Sequence, residues 1–229
     1  MNWNSKRRFL KADFNTTIHS RFARHEIQFG NVERPTTRNT SIEQAMFEVT
    51  NHKYTDLSET GYGISILNDC KYGISVEGSD IRLSLHNGGV RPDPRGDAGV
   101  HYVTYSLLPH NSSFNAADTI LPAYMLNYPV VTAKGDYQMI NLGTSDKANV
   151  IVEAIKPLED SIESGEKAYI LRIYEAEGCY ANADISFGFE AKAIAETNML
   201  EEVLKELPAA NHVSLTFKPF EIKTLKVSY

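Results

Sequence analysis

Apolar and polar residues alternate in short stretches along most of this chain. In Ile81-Arg82-Leu83-Ser84-Leu85-His86 the apolar positions are 81, 83 and 85 and the polar ones 82, 84 and 86. That is the period of a strand with one buried face. His101, Val103, Tyr105 and Leu107 resume it, and it stops before Pro109-His110. From Arg24 to Phe29 the pattern puts His25, Ile27 and Phe29 on one side and Glu26 and Gln28 on the other. Phe9 to Phe14 and Met46 to Val49 read as further strands, Gly30 to Pro35 as a strand end and turn, and Arg38 to Ser41 as a loop. Ile64, Ile66 and Leu67 form a short apolar run suited to a buried strand. Gly73 to Ile81 reads as a hairpin turning near Gly78.

Asn87 to Gly99 is rich in glycine and proline and longer than an ordinary connection, which marks it as a functional or moving segment. Phe114 to Leu126 has helical spacing, but Pro122 interrupts it and predicts only a short helix or irregular piece. Tyr128-Pro129 reads as the crossing into a second unit. From Met139 onward short strands are expected at Val150–Ile155, Ala168–Tyr174, Ala183–Phe189, His212–Phe217 and Glu221–Val227. Met199, Val203, Leu204 and Leu207 carry the spacing of one helix over Asn198 to Leu207. Closely spaced strands with few helical patterns predict an all-β sandwich architecture. No internal repeat or heptad interrupts it.

A length of 229 residues allows one large or two modest domains. The formal charge of −6 argues against a nucleic-acid or anionic-membrane partner, and Lys6-Arg7-Arg8 is the only basic run. Cys70 and Cys179 are too few and too far apart for a disulfide framework or a cysteine zinc site. The N-terminus lacks the apolar core of a signal peptide, and no apolar run reaches the ~18 residues of a membrane span. The three glycosylation sequons, at Asn15, Asn39 and Asn111, then read as chance. The chain is expected to be cytoplasmic.

Candidate chemistry concentrates between Asp56 and Gly73. Asn68-Asp69-Cys70-Lys71-Tyr72 follows the apolar run directly, where polar groups on a rigid element commonly make a site. The same residues are also ordinary turn formers and β filler. The histidines form no local metal-binding pair, and His86 and His101 read as satisfied surface residues. No nucleophile elbow, activated cysteine or phosphate-cradling loop is present. Asp56, Glu59, Asp69, Asp93 and Asp97 remain as candidates for acid–base work. Glycoside hydrolysis needs two carboxyls about 5–10 Å apart, a distance no sequence displays. The residues alone describe a binding surface more than a catalytic centre.

A longer set of ordered motifs adds to this. Phe29-Gly30-Asn31-Val32-Glu33-Arg34-Pro35-Thr36 with Arg38-Asn39-Thr40-Ser41, then Asp56-Leu57-Ser58-Glu59, Gly61-Tyr62-Gly63 and Leu67-Asn68-Asp69-Cys70-Lys71-Tyr72-Gly73, resemble the glycoside hydrolase family 38 α-mannosidases. Ile81 to Leu85, Pro92-Asp93-Pro94, Tyr105 to His110, Leu171 to Ala176 and Pro219 to Leu225 continue the resemblance in order, nearest to the cytosolic and bacterial branch. It implies the C-terminal β part of such an enzyme. The implied parts are a portion of a large β-sandwich (supersandwich-like, galactose-mutarotase-like) over 1–137 and a smaller terminal β-sandwich over 138–229. The zinc ion, the aspartate nucleophile and the acid/base carboxylate of the retaining mechanism would lie in regions this chain lacks. No catalytic or metal-binding residue is therefore expected here, and the chain alone should be inactive.

The resemblance also implies rim contacts to a mannoside substrate from Asn68, Asp69, Lys71, Tyr72, His86 and Asn87, with a catalytic N-terminal domain as partner and a homo-oligomer possible. Relatives commonly carry an arginine near Asn87, whose place an asparagine takes without the charge or the bidentate fork. Two other functions suit the chain. A free-standing carbohydrate-binding module would use aromatic platforms such as Tyr62 and Tyr72. A structural or oligomerisation domain would show a large apolar docking patch.

Overall fold

The alternating stretches become strands nearly throughout the computed structural model, which describes residues 1–144 and 148–229. The fold is all-β, as expected, and falls into two units, Met1–Val130 and Val131–Tyr229. The division lies between Val130 and Val131, where the sequence reading places it after Tyr137.

Unit 1 contains β1 (Asn2–Trp3), β2 (Phe9–Asn15), β3 (Phe22–Ile27), β4 (Gly30–Pro35), helix α1 (Ser41–Ala45), β5 (Val49–Thr50), β6 (Tyr54–Glu59), β7 (Tyr62–Asn68), β8 (Gly73–Glu77), β9 (Asp80–Asn87), β10 (Gly99–Val100) and β11 (Tyr105–His110). A π-helical turn (Ala116–Ile120) runs into helix α2 (Leu121–Asn127). One antiparallel sheet has the order β11-β7-β6-β3-β4 and a second β2-β9-β8-β5. Ala23, Leu57, Ile64 and Ile66 from the first meet Ile74, Val76, Ile81 and Leu83 from the second in one buried core. These are the inward positions of the alternation, and their burial is the main stabilising contribution to the sandwich.

Several elements differ from the sequence reading. Gly30 to Pro35 is a full strand paired along its length with β3, and Tyr54 to Glu59 is a strand between β3 and β7. Met46 to Glu48 is a turn, with only Val49 and Thr50 extended. The stretch 101–104 is irregular, and β11 starts at Tyr105 and runs through Pro109 to His110. A proline fits there because β11 is an edge strand. Pro122 does not cut the helix. It sits in the first turn of α2, where its missing N–H leaves no bond unmade. Glu26, on the polar side of the sequence pattern, is buried and held by the Lys53 ammonium at 3.0 Å.

β9 carries an extra residue. Leu10 of β2 faces His86 and Lys11 faces Ser84, so Leu85 is skipped. Such a bulge bends the strand and breaks the two-residue alternation, and the consecutive residues Ser84, Leu85, His86 and Asn87 all border one cleft.

Unit 2 contains β12 (Ile140–Thr144), β13 (Val150–Pro157), the short helix α3 (Ser161–Ser164), β14 (Ala168–Glu175), β15 (Ala181–Phe187), β16 (Ala193–Thr197), β17 (Val203–Leu207), β18 (His212–Phe217) and β19 (Ile222–Ser228). Sheets of order β12-β15-β18 and β13-β14-β19-β16-β17 share a core. β15 buries Ala181, Ala183, Ile185 and Phe187 and exposes the residues between them. Leu171, Ile173, Leu225 and Val227 complete the core from the other sheet.

The helix expected over Asn198 to Leu207 is instead a turn followed by β17. The Asn198 side-chain oxygen accepts from the N–H groups of Leu200 and Glu202, and the Asn198 N–H donates to the Glu202 carbonyl. That closes a hairpin whose second strand pairs with β16. Leu204 is 66% exposed, so the helical spacing had no core to face.

Candidate functional site

A cleft of about 740 Å³ lies against the four-stranded sheet of unit 1, bordered by Lys71, Gly73, the Ser84–Asn87 run, Phe9, Phe47, Glu48, Asp97 and His101. Three of the six sequence-derived site residues meet here: Lys71, His86 and Asn87. Gly73 lets β8 pass close to its neighbours, since a Cβ there would lie 3.2 Å from the Cβ of Ser84 and collide with the Glu48 carboxylate.

His86 corrects the expectation of a satisfied surface histidine. It is only 5% exposed, and its Nε2 has no hydrogen-bond partner. The Ser84 hydroxyl is also buried and unpartnered. Native proteins leave few such atoms, and each calls for an account. Burial, then the neighbouring His101 and Lys71, hold the His86 imidazole below its ordinary value, with Asp97 acting in the opposite sense.

The remaining three residues build the turn beside the cleft. Asn68 is fully buried. Its amide donates to the His52 carbonyl at 2.7 Å and its oxygen accepts the Lys71 N–H at 2.7 Å. Both carboxylate oxygens of Asp69 lie 3.1 Å from the Thr104 N–H, tying this turn to the segment before β11. Burial would raise the Asp69 carboxyl, but the Cys70 thiol and the Thr104 donors outweigh it and bring it below the usual range. Burial and then Asp69 push the Cys70 thiol up to about 11, so it is not an activated nucleophile. Tyr72 is 52% exposed and meets His52 edge to face. Asp97 and His101, weighed in the sequence for other roles, join Glu48 and Ser84 at this cleft, which the bulge and the folding back of the loop assemble.

Asp56, the carboxylate candidate in the opening of the polar stretch, is buried at the centre of a different cluster. Its Oδ2 is 2.8 Å from His110 Nε2 and accepts from the hydroxyls of Ser65 at 2.7 Å and Thr119 at 3.3 Å, while Ser58 donates to Oδ1. Thr119 is delivered by the π-helical turn. Serine, histidine and aspartate are thus all in contact, yet in the wrong order for a nucleophilic relay. A relay runs the histidine between the other two, one nitrogen to each. Here Ser65 and Nε2 converge on one carboxylate oxygen, Nδ1 faces Ser112 at 3.0 Å, and Ser65 has no exposure. The cluster is a buried tie between β6, β7, β11 and the π turn. Asp56→Asn should cost unit 1 about 2–3 kcal/mol, read as a lower urea midpoint, because an amide nitrogen then confronts donors.

A second cleft of about 510 Å³ is lined by Arg24, Glu33, Glu59 and Phe114 among others. Arg24 pairs with Glu33 at 2.5 Å, and Glu59 accepts the His19 N–H at 3.1 Å. Among the described residues no three His, Cys, Asp or Glu side chains converge as ligands for a metal ion, so they do not fit a zinc site. No helix is long and apolar enough to cross a membrane among the described residues.

Comparison with known proteins brings the two units under one heading. Residues 1–95 match the glycosyl hydrolases family 38 C-terminal domain, and residues 149–225 the family 38 C-terminal beta sandwich domain. The chain is 36% identical over 235 residues to human alpha-mannosidase 2C1, a match covering 98% of this chain and 22% of that protein. It is 37% identical over 241 residues to alpha-mannosidase G of Dictyostelium discoideum, covering 99% of this chain and 21% of that one. The chain therefore spans about a fifth of the length of these relatives. The crystal structure of an alpha-mannosidase from Enterococcus faecalis superposes on 95% of this chain and 25% of its own with a TM-score of 0.73 at 17% identity, a likeness of fold.

Proposed function

The chain belongs to glycosyl hydrolase family 38, whose C-terminal domains it comprises, and from that premise we propose that it serves an α-mannosidase as a non-catalytic β region. Its role is to support a catalytic N-terminal domain and to offer hydrogen-bonding groups at the rim of the mannoside pocket. The observation that carries this reading is the cleft where Lys71, His86 and Asn87 come together beside two unpartnered buried polar atoms. Sugar hydroxyls, each both donor and acceptor, suit such a lining, and the aromatic rims of Phe9 and Phe47 suit the apolar face of a pyranose. Asn68 and Asp69 support this rim through the turn they brace. Tyr72 stands outside it. Exposed Met199, Leu200, Val203 and Leu204 around β17 favour a docking surface for the rest of a larger enzyme.

The reaction's acid, nucleophile and zinc belong to that catalytic domain, and this chain assayed with an aryl α-mannoside and added zinc should give no turnover above buffer. Turnover abolished by Glu48→Gln or Asp97→Asn, the cleft's two carboxylates, would overturn the reading. A free-standing carbohydrate-binding module is the second reading, favoured by the exposure of Tyr62 and Tyr72 at 40% and 52%. Methyl α-mannoside resonance perturbations distinguish the two, centring on Lys71, His86 and Asn87 for a rim and on the tyrosines for a module.

A further inference from the structure

The buried imidazole of the cleft is flanked by two rings. Trp3, the only tryptophan in the chain, has its ring centroid 4.7 Å from that of His86, and His101 lies 4.8 Å away, nearly edge-on. Neither is near His86 in sequence. Both arrive through backbone pairing, with Trp3 opposite Gly99 and Asn2 opposite Val100, and His101 following directly. Several further bonds fix the geometry. The indole N–H donates to the Ser5 carbonyl at 2.7 Å, and His101 Nε2 lies 2.6 Å from the Asp97 carbonyl oxygen. The Arg7 N–H donates to Gly88 and the Gly88 N–H to Arg8, so the start of the chain is laced to the start of the long loop. Gly88 is required for this approach, since a Cβ there would lie 2.6 Å from the Ser5 oxygen and 3.1 Å from the indole nitrogen.

We propose that Trp3 and His101 are positioning residues of the cleft, clamping the His86 ring between them so that its free Nε2 is fixed for a ligand hydroxyl. This rests on the reading that the cleft takes a mannoside. An imidazole without the clamp would swing toward water, and a site of this kind works only when its polar atoms are already in place. The charged and titratable groups that bear on His86 are His101, Asp97 and Lys71, with Glu48 on the same cleft. Their balance keeps the ring neutral at neutral pH, the state in which it meets an uncharged sugar without a buried, unpaired charge.

The single tryptophan makes the clamp measurable, because a protonated imidazole in contact quenches indole emission. In the full chain, emission should fall on acidification with a midpoint below about 6.5, and His86→Gln should abolish that transition. Imidazole NMR then reports His86 in variants that lack the indole. In Trp3→Phe the midpoint should stay low, and in Trp3→Ala it should rise toward the ordinary value. A transition that survives His86→Gln, or a His86 that titrates identically in Trp3→Ala and wild type, overturns the proposal. Saturating methyl α-mannoside should lower the His86 midpoint further in wild type and Trp3→Phe and leave Trp3→Ala unmoved. An equal shift in Trp3→Ala overturns the clamp. No shift in wild type, with the clamp signature intact, counts against the mannoside reading and not against the clamp.

Discussion

Replacing Glu175 by alanine is expected to cost unit 2 about 3 kcal/mol, a large fraction of the stability of a domain this size. Glu175 ends β14 with no solvent exposure. Its carboxylate accepts the backbone N–H groups of Glu177, Gly178, Cys179 and Phe220 at 2.8–3.1 Å, and the Asn149 amide at 3.0 Å. Such charge-assisted bonds are the stronger kind. An alanine removes the acceptor of four backbone donors in a half-buried turn and of the buried Asn149 amide, and the more deeply buried of them carry a desolvation penalty. Glu175→Gln keeps one acceptor oxygen but turns an N–H₂ toward the remaining donors, so it should fall between alanine and wild type. Glu190→Gln, on an exposed glutamate, should change stability by less than about 0.5 kcal/mol. Chemical unfolding followed by far-ultraviolet dichroism measures all three. Equal stabilities for Glu175→Ala and Glu190→Gln would refute the role assigned to this carboxylate.

The second large effect is acid loss of stability in unit 1 through His25. This ring is 1% exposed, with Nδ1 3.0 Å from the Thr55 hydroxyl, which also lies 3.0 Å from the Asn51 amide. Burial, and then the Arg34 guanidinium, bring its pKa down from 6.5 to about 3. Above pH 6.5 both folded and unfolded chains hold a neutral ring, and His25 contributes no pH dependence. Between 6.5 and about 3 the unfolded chain takes up a proton that the folded one refuses, so stability falls steadily across that window. The full gap amounts to roughly 4–5 kcal/mol. The range from about pH 6.5 to 5 lies above ordinary carboxylates, and there the slope should approach about 1.4 kcal/mol per pH unit. His25→Gln should lower it, leaving the share of His86, whose value is also held down. A slope unchanged by that substitution would reject the assignment.

His110 works on the other limb. The Asp56 carboxylate raises its pKa, against the pull of burial. Its contribution is therefore complete below 6.5 and disappears as pH rises through the higher folded value. Among the buried histidines of this unit, His25 and His86 are thus shifted down and His110 up.

Much of this architecture was readable from the period-two pattern. The hairpin around Gly78, strands β13, β14, β15, β18 and β19 of unit 2 and the inward residues of β9 up to Leu83 follow it, whereas β12 and β16 do not stand out in the sequence. The failures have a common cause. β17 has no dry face, so its spacing carried no information, and the side-chain oxygen of Asn198 served a turn where a helix cap was equally compatible. β4 and β6 do not show the pattern because Asn31, Thr55 and Asp56 put polar residues inside, where Arg24 and Asn51 nearby and His110 far along the chain satisfy them. At the candidate site Lys71, His86 and Asn87 were legible as residues. Their neighbours Ser84 and Glu48 were not, because the arrangement depends on how β9 registers against β2, some seventy positions earlier in the chain.

The extra residue at Leu85 makes the cleft a matter of counting. Any apolar side chain of similar bulk at that position preserves the arithmetic, whereas an even-numbered reading frame along β9 would send His86 and Asn87 out on opposite sides of the sheet. Segment length, and not only residue identity, is therefore a determinant of what this surface can hold, and a single-residue deletion there is a sharper perturbation than most substitutions.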